Sequence, residues 1–232
     1  MKFFFLKFNL FYFFYKILKI FRNSKKSKHL GEFGEDIFVR RFFKKSEKGT
    51  YVDVGSYHPI KGSLTYDLYK NKWSGINIDL SKISVDLFKI SRPRDINLRA
   101  GITDYDGKTF YYENSPINQQ NSMIENPLAK KIEIDCFTLN TILDKYQINK
   151  IDYLNIDAEG NDFKVISTFD FEKFKPLLVS IEFNDYDSDK LSKSDIHILM
   201  KNNDYTLISK FGVTCFYVKN NTVSNIHEMM RI

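Results

Sequence analysis

The sequence predicts a doubly wound α/β sheet, mostly parallel, that closes in a C-terminal antiparallel hairpin. Three observations carry this. From residue 50 onward, short apolar runs alternate with segments of helical spacing. One run, Leu177-Leu-Val-Ser-Ile-Glu-Phe183, is almost continuously apolar, as a strand covered on both faces requires. The last two runs flank the turn residues Phe211-Gly212. A chain of 232 residues, 43% of them hydrophobic, suffices for one sizeable domain with its own core.

Taken in order, the first segment stands apart. Met1 to Phe21 reads MKFFFLKFNLFYFFYKILKIF, and its longest charge-free run is Phe8 to Tyr15. A spanning helix wants roughly 20 consecutive apolar residues, so none is expected here. The basic stretch that follows offers no small-residue cleavage site. The segment instead predicts a helix in a membrane interface, with rings among the headgroups and lysines meeting anionic lipid. Its lysines do not share one clean face, and the competing reading is a helix docked on the domain or on a partner chain. The expected division is 1–30 for this segment and its polar linker, 31–220 for the domain and 221–232 for a tail.

In the body, Thr50 to Gly55 predicts a strand entering a tight turn, and Gly75 to Asp79 a second strand. Ser63 to Asn71 and Ser81 to Ile90 have helical spacing, the latter with Ile83, Leu87 and Ile90 on one face. Asp95 to Thr103 reads as a third strand. Thr109 to Glu113 and Lys131 to Cys136 read as strands of an insertion. Leu139 to Tyr146, Asp162 to Thr168 and Ser194 to Asn202 are expected helices, and Ile151 to Asp157 a strong strand. Thr206 to Ser209 and Thr214 to Val218 form the closing hairpin. Cys136 and Cys215 both fall in apolar strand contexts and read as buried thiols.

Net charge is +6, but eight Lys and Arg precede residue 30 with no acidic residue before Glu32. The rest holds 27 basic against 29 acidic residues. The body shows no interleaved basic and aromatic stripe, so no nucleic-acid partner is expected. No Cys/His cluster has zinc spacing.

In a doubly wound sheet, ligands bind at the carboxyl ends of the strands, near the switch in strand order. Acidic residues recur at those ends: Asp53, Asp79, Asp157 with Glu159, and Glu182. Asp53-Val-Gly-Ser-Tyr57 lacks a second glycine, and Tyr57 in its place would crowd a pyrophosphate. Its carboxylate would repel phosphate, yet suits a cationic ligand directly or through the turn amides. A plain strand-to-helix turn is the competing reading. Asp79, 26 residues after Asp53, stands where an acid accepts hydrogen bonds from ribose hydroxyls. Asp157 could deprotonate a hydroxyl or, with Glu159, hold a divalent cation; equally it could cap the next helix. His58, just past the first turn, is a second candidate base, against a purely structural role.

Together these residues resemble the FkbM family of methyltransferases. The likeness spans roughly residues 31–185. It includes Gly34-Glu-Asp36, Tyr51-Val-Asp-Val-Gly-Ser-Tyr-His-Pro59, Ser63-Leu-Thr65 and Trp73-Ser-Gly-Ile-Asn-Ile-Asp79. Arg92-Pro-Arg-Asp-Ile-Asn-Leu98 and Ile151-Asp-Tyr-Leu-Asn-Ile-Asp-Ala-Glu-Gly160 complete it. The resemblance implies a Rossmann-like class I methyltransferase fold, S-adenosylmethionine as donor, and methyl transfer to a sugar or glycan hydroxyl. Asp53, Gly55 and Asp79 match the family's cofactor-binding positions, and Asp157, Glu159 and Gly160 its second signature motif. Ser56, Tyr57, Ile102 and Thr103 are further expected cofactor contacts, and Asp157 or His58, supported by Glu159, the expected catalytic groups. Many relatives have lysine at the position of Asn155 and valine at that of Ala158, so no role of that lysine carries over. The competing functions are a non-catalytic membrane-associated module and a sugar-nucleotide-dependent glycosyltransferase. The expected place is cytoplasmic, peripheral at the inner face of the membrane through residues 1–22. The polar insertion from Asp106 to Glu133 is expected either to cover the acceptor pocket or to be a solvated loop.

Overall fold

A computed structural model describes residues 9–23, 30–115, 120–223 and 226. Residues 1–8 and 24–29 of the N-terminal segment, 116–119 of the insertion, and most of the tail beyond 223 lie outside the described residues.

The strands are β1 (Thr50–Val54), β2 (Ser74–Asp79), β3 (Ile96–Arg99), β4 (Gly101–Ile102), β5 (Gly107–Glu113), β6 (Lys130–Phe137), β7 (Tyr153–Ile156), β8 (Leu178–Glu182), β9 (Tyr205–Phe211) and β10 (Thr214–Lys219). Seven form one sheet in the order β3-β2-β1-β7-β8-β10-β9. All neighbours run parallel except β10, which is antiparallel to β8 and to β9. The chain winds outward from β1 to β3, then returns to the other side of β1 at β7. The switch point therefore lies between β1 and β7. This is the expected Rossmann-like methyltransferase architecture, hairpin included.

The single strand expected over Asp95 to Thr103 is two. β3 pairs with β2 only as far as Asp79↔Arg99, because β2 ends there. Beyond Ala100, whose N–H still donates to the Asp79 carbonyl, the chain finds a new partner. β4 joins β6 in a separate three-stranded sheet, β4-β6-β5. A hydrophobic pattern does not reveal where a neighbouring strand stops.

The helices are α1 (Asn9–Asn23), α2 (Glu35–Phe42), α3 (Tyr66–Lys70), α4 (Lys82–Ser91), α5 (Leu139–Lys145), α6 (Asp162–Ser167), α7 (Phe171–Phe174), α8 (Ser188–Lys193), α9 (Asp195–Asn202) and α10 (Asn220–Val223). Ser81, Thr138 and Ser194 cap α4, α5 and α9 with hydroxyls that accept N–H bonds. The central strands are buried on both faces, and separate cores result. Val52, Val54, Leu154 and Ile156 pack with α5, α6 and α9. Tyr51, Tyr153, Trp73 and Phe216 pack with Val39 and Phe42 of α2 and Leu68 of α3. Cys136 and Cys215 are buried free thiols, as expected.

One face of α1 docks on the domain. The Tyr12 hydroxyl donates to Asp86 of α4 at 2.7 Å, and Lys16 lies 3.8 Å from the same carboxylate. Tyr12 and Tyr15 pack against Ile60, Ile83 and Leu87. Among the described residues, no helix is long and apolar enough to cross a membrane.

Candidate active site

The ends of β1, β2, β7 and β8 open on a pocket at the switch point. Its floor is fixed by close backbone packing. Gly55 and Ser56 both donate their N–H to the Ile78 carbonyl, at 2.9 and 3.1 Å. Gly55 has φ +77°, and a Cβ there would stand 1.7 Å from the Asp157 carbonyl oxygen. The glycine is thus required by the approach of β1's turn to the end of β7. It also follows that these turn amides are committed to β2 and do not meet a ligand. Tyr57, also left-handed at φ 51°, donates its N–H to Asp79 at 2.7 Å.

The acids expected at the strand ends have different surroundings. Asp53 is buried and spoken for: Thr65 Oγ1 donates to one oxygen at 2.7 Å and Asn155 Nδ2 to the other at 2.9 Å. Burial raises its pKa, against the pull of those bonds and of Arg92. Asp53 borders the pocket, but its bonds anchor the floor. Asn155, the position of the departure noted above, bridges Asp53 to Ser180, whose hydroxyl donates to Asn155 Oδ1. Asp79 is held by the N–H groups of Tyr57 and Ser81, both at 2.7 Å, and burial brings its pKa up to about 6.

Asp157, Glu159 and Glu182 face the cavity together. Asp157 opens onto it yet is ringed by protein. That enclosure, then repulsion from Glu182, Asp162 and Glu159, holds its pKa well above the usual carboxylate range. Burial and the charges of Asp162 and Glu32 bring Glu159 up to about 7. Burial and the charges of Asp162 and Glu159 bring Glu182 to about 7 as well. The Oε2 of Glu182 is buried without a hydrogen-bond partner. Asp157 does not cap the following turn: the N–H groups of Ala158 and Gly160 are taken by Asp162, at 2.8 and 3.0 Å.

Two expected residues are not among those that line the pocket. His58 is buried, and its Nδ1 accepts N–H bonds from Ile60 at 3.1 Å and Lys61 at 3.0 Å. Burial, with the charges of Lys61 and Arg92, pushes its pKa down to about 4. Through Nδ1 the ring braces its own turn, away from the residues that line the pocket. Thr103 donates its hydroxyl to Asp104 at 3.0 Å, whereas Ile102 does line the pocket.

The covers of the pocket come from segments that the strand-end argument did not reach. Glu32, Phe33 and Glu35 line it from the segment ahead of α2. That segment is held by N–H bonds from Leu30 and Gly31 to Asp36, at 2.8 and 3.0 Å, and from Phe33 to Glu35, at 2.8 Å. From the insertion come Asn121 and Met123. The Ser122 hydroxyl donates to the Glu159 carbonyl at 2.8 Å, so part of the insertion is fastened to the pocket rather than solvated. Val213 and Thr214, at the hairpin turn, complete the wall. Gly34-Glu-Asp36 was the one sequence signal for the first of these segments.

Seven carboxylates border the pocket, from Glu32, Glu35, Asp53, Asp79, Asp157, Glu159 and Glu182, and among the described residues no Lys, Arg or His does. Nor is any group of three or more His, Cys, Asp or Glu among the described residues placed to hold a metal ion. A family model described as the methyltransferase FkbM domain matches residues 53–207, two thirds of the chain. Neither a curated protein nor a solved structure matches it.

Proposed function

The chain belongs to the FkbM methyltransferase family, and from that premise we propose that it is an S-adenosylmethionine-dependent O-methyltransferase acting on a sugar or glycan hydroxyl. One observation carries the choice of donor: a pocket bordered by seven carboxylates and, among the described residues, by no cationic side chain. Such a lining favours a cationic ligand and repels the diphosphate of a sugar nucleotide or a nicotinamide dinucleotide.

The residues fit S-adenosylmethionine. Ile78, Leu80, Ala100 and Ile102 supply an apolar wall for the adenine. Asp79, fixed by two N–H bonds, keeps lone pairs for ribose hydroxyls. Glu182, with its orphaned buried oxygen, and Glu159 suit the cationic amino-acid end. The bound cofactor supplies a methyl group already activated on a sulfonium. The chain therefore has to hold the acceptor in line and remove its hydroxyl proton. Asp157, with its raised pKa, accepts that proton as the acceptor oxygen forms its bond to carbon. Glu32, Glu35, Asn121 and Thr214 offer hydrogen-bonding groups, and Phe33 a ring, for a polar acceptor such as a sugar.

The test is calorimetric titration and thermal shift with S-adenosylmethionine, NADH and a sugar nucleotide. Only the first should bind and raise the melting temperature. Glu159 and Glu182 titrate near 7 and Asp79 near 6, and a cation favours their charged forms. Binding should therefore release protons around neutrality and tighten as pH rises from about 6 to about 8. A response to the sugar nucleotide or NADH in place of S-adenosylmethionine would overturn the assignment.

A further inference from the structure

Helix α1 docks with the wrong side, judged by polarity. A helix at a protein surface normally buries its apolar stripe. Here the docked side carries Tyr12, Tyr15 and Lys16. The Tyr12 hydroxyl and the Lys16 ammonium converge on Asp86, and Lys16 also lies 4.4 Å over the Tyr12 ring. What remains outward is apolar: Phe11 is 53% exposed, Phe13 45%, Phe14 54% and Leu18 66%. Phe11, Phe14 and Leu18 recur at helical spacing, so they form one ridge rather than scattered exposures.

We propose that this ridge inserts into the headgroup region of an anionic lipid surface, with α1 lying flat between that surface and the domain. The charge of the segment selects the occupant. Lys16 is spent on Asp86, but Lys2, Lys7, Lys19, Arg22, Lys25, Lys26 and Lys28 also precede residue 30, with no acidic residue before Glu32. An apolar ridge within such a uniformly basic segment complements a uniformly anionic apolar interface. A second copy meeting the ridge about a two-fold axis would instead bring two such segments together and repel.

The docking also fixes an orientation. The Asp86 contacts keep the helix from rolling, so the domain meets the surface by its α4 side. The same contacts place α1 beside Ile60, and Gly62 donates its N–H to the Leu30 carbonyl at 2.8 Å. Tyr57, Gly62, Ser63 and Leu64 of that stretch line the pocket. One loop thus both packs on α1 and walls the pocket.

The experiment is co-sedimentation of the full chain with phosphatidylcholine vesicles, with and without phosphatidylglycerol. It compares the wild type, the triple variant Phe11→Ser/Phe14→Ser/Leu18→Ser, and the charge variant Lys25→Glu/Lys26→Glu/Lys28→Glu. The wild type should bind the anionic vesicles and release as salt rises. The triple variant should lose binding by at least about tenfold while the domain, followed by far-UV circular dichroism and thermal unfolding, stays folded. The charge variant should lose the preference for anionic over neutral vesicles. Absence of wild-type binding, equal binding by the triple variant, or a dimer in solution that the triple variant abolishes without any vesicle binding would each overturn the proposal. The outcome does not depend on methyl transfer.

Discussion

Asp157 and Glu182 end adjacent parallel strands, with Ile156↔Ile181 as the last paired residues before them. Two neighbouring carboxylates resist being charged together, and burial adds to this, so both are held above the ordinary carboxylate range. Asp157→Asn removes the proposed proton acceptor but keeps shape and polarity. Turnover should fall by about 100-fold or more, while S-adenosylmethionine affinity by calorimetry changes only a few-fold. Near-wild-type turnover would remove Asp157 from the chemistry. Sequence placed Asp53, Asp79, Asp157 and Glu182 at one edge because strand ends in such a sheet converge. It did not show which acid is spent on the scaffold. Asp53 meets Thr65 and Asn155, the latter 102 residues away in the chain, and a linear pattern carries no trace of that bond.

Behind the floor, the elements β1, β2, α3 and α4 are tied by one buried guanidinium. Arg92 follows the last residue of α4 and donates to the Pro59 carbonyl, to Ser63 Oγ at 2.6 Å, to Thr65 Oγ1 at 2.7 Å and to Asn77 Oδ1 at 3.3 Å. Asp95 accepts from the Tyr51 hydroxyl at 2.5 Å and from Asn77 Nδ2 at 3.0 Å, so Arg92 stands between two buried carboxylates, Asp53 and Asp95. Removing the cation leaves both unbalanced. Arg92→Met should cost about 3–5 kcal/mol in urea unfolding. Arg92→Lys should recover little, because a point charge cannot serve four acceptors in this fork geometry. Strands and helices at this scale were legible because apolar periodicity reports burial directly. The break between β3 and β4, and the helix α2, were not, nor were the short helices α7, α8 and α10. The first depends on where β2 stops, and the second on a short segment whose signal is a left-handed Gly34 and two acids.

For the molecule as a whole, pH acts through two opposed sets of groups. His58 in the fold titrates near 4, below its ordinary value of 6.5. Its stabilising contribution is complete above about 6.5 and is lost as pH falls toward 4. Glu159 and Glu182 titrate near 7, above their ordinary 4.5. Their contribution is complete below about 4.5 and is lost as pH rises through 7. The windows overlap and two acids outweigh one imidazole, so the ligand-free protein should lose stability as pH rises from about 4.5 to about 7 in urea titrations, and His58→Asn should steepen that loss by removing the opposing group. An unchanged slope in that variant would deny His58 this role. At this scale an aromatic, basic N-terminal helix was legible, but not which face would be turned to the domain; that is decided by Asp86, a residue of α4. The meeting of Gly55 with the Asp157 carbonyl has a mechanical consequence for the same whole. It seams the two halves of the sheet at the switch point, with no room for a side chain between the end of β1 and the end of β7. Any side chain at position 55 would part the two halves, and with them the pocket they enclose.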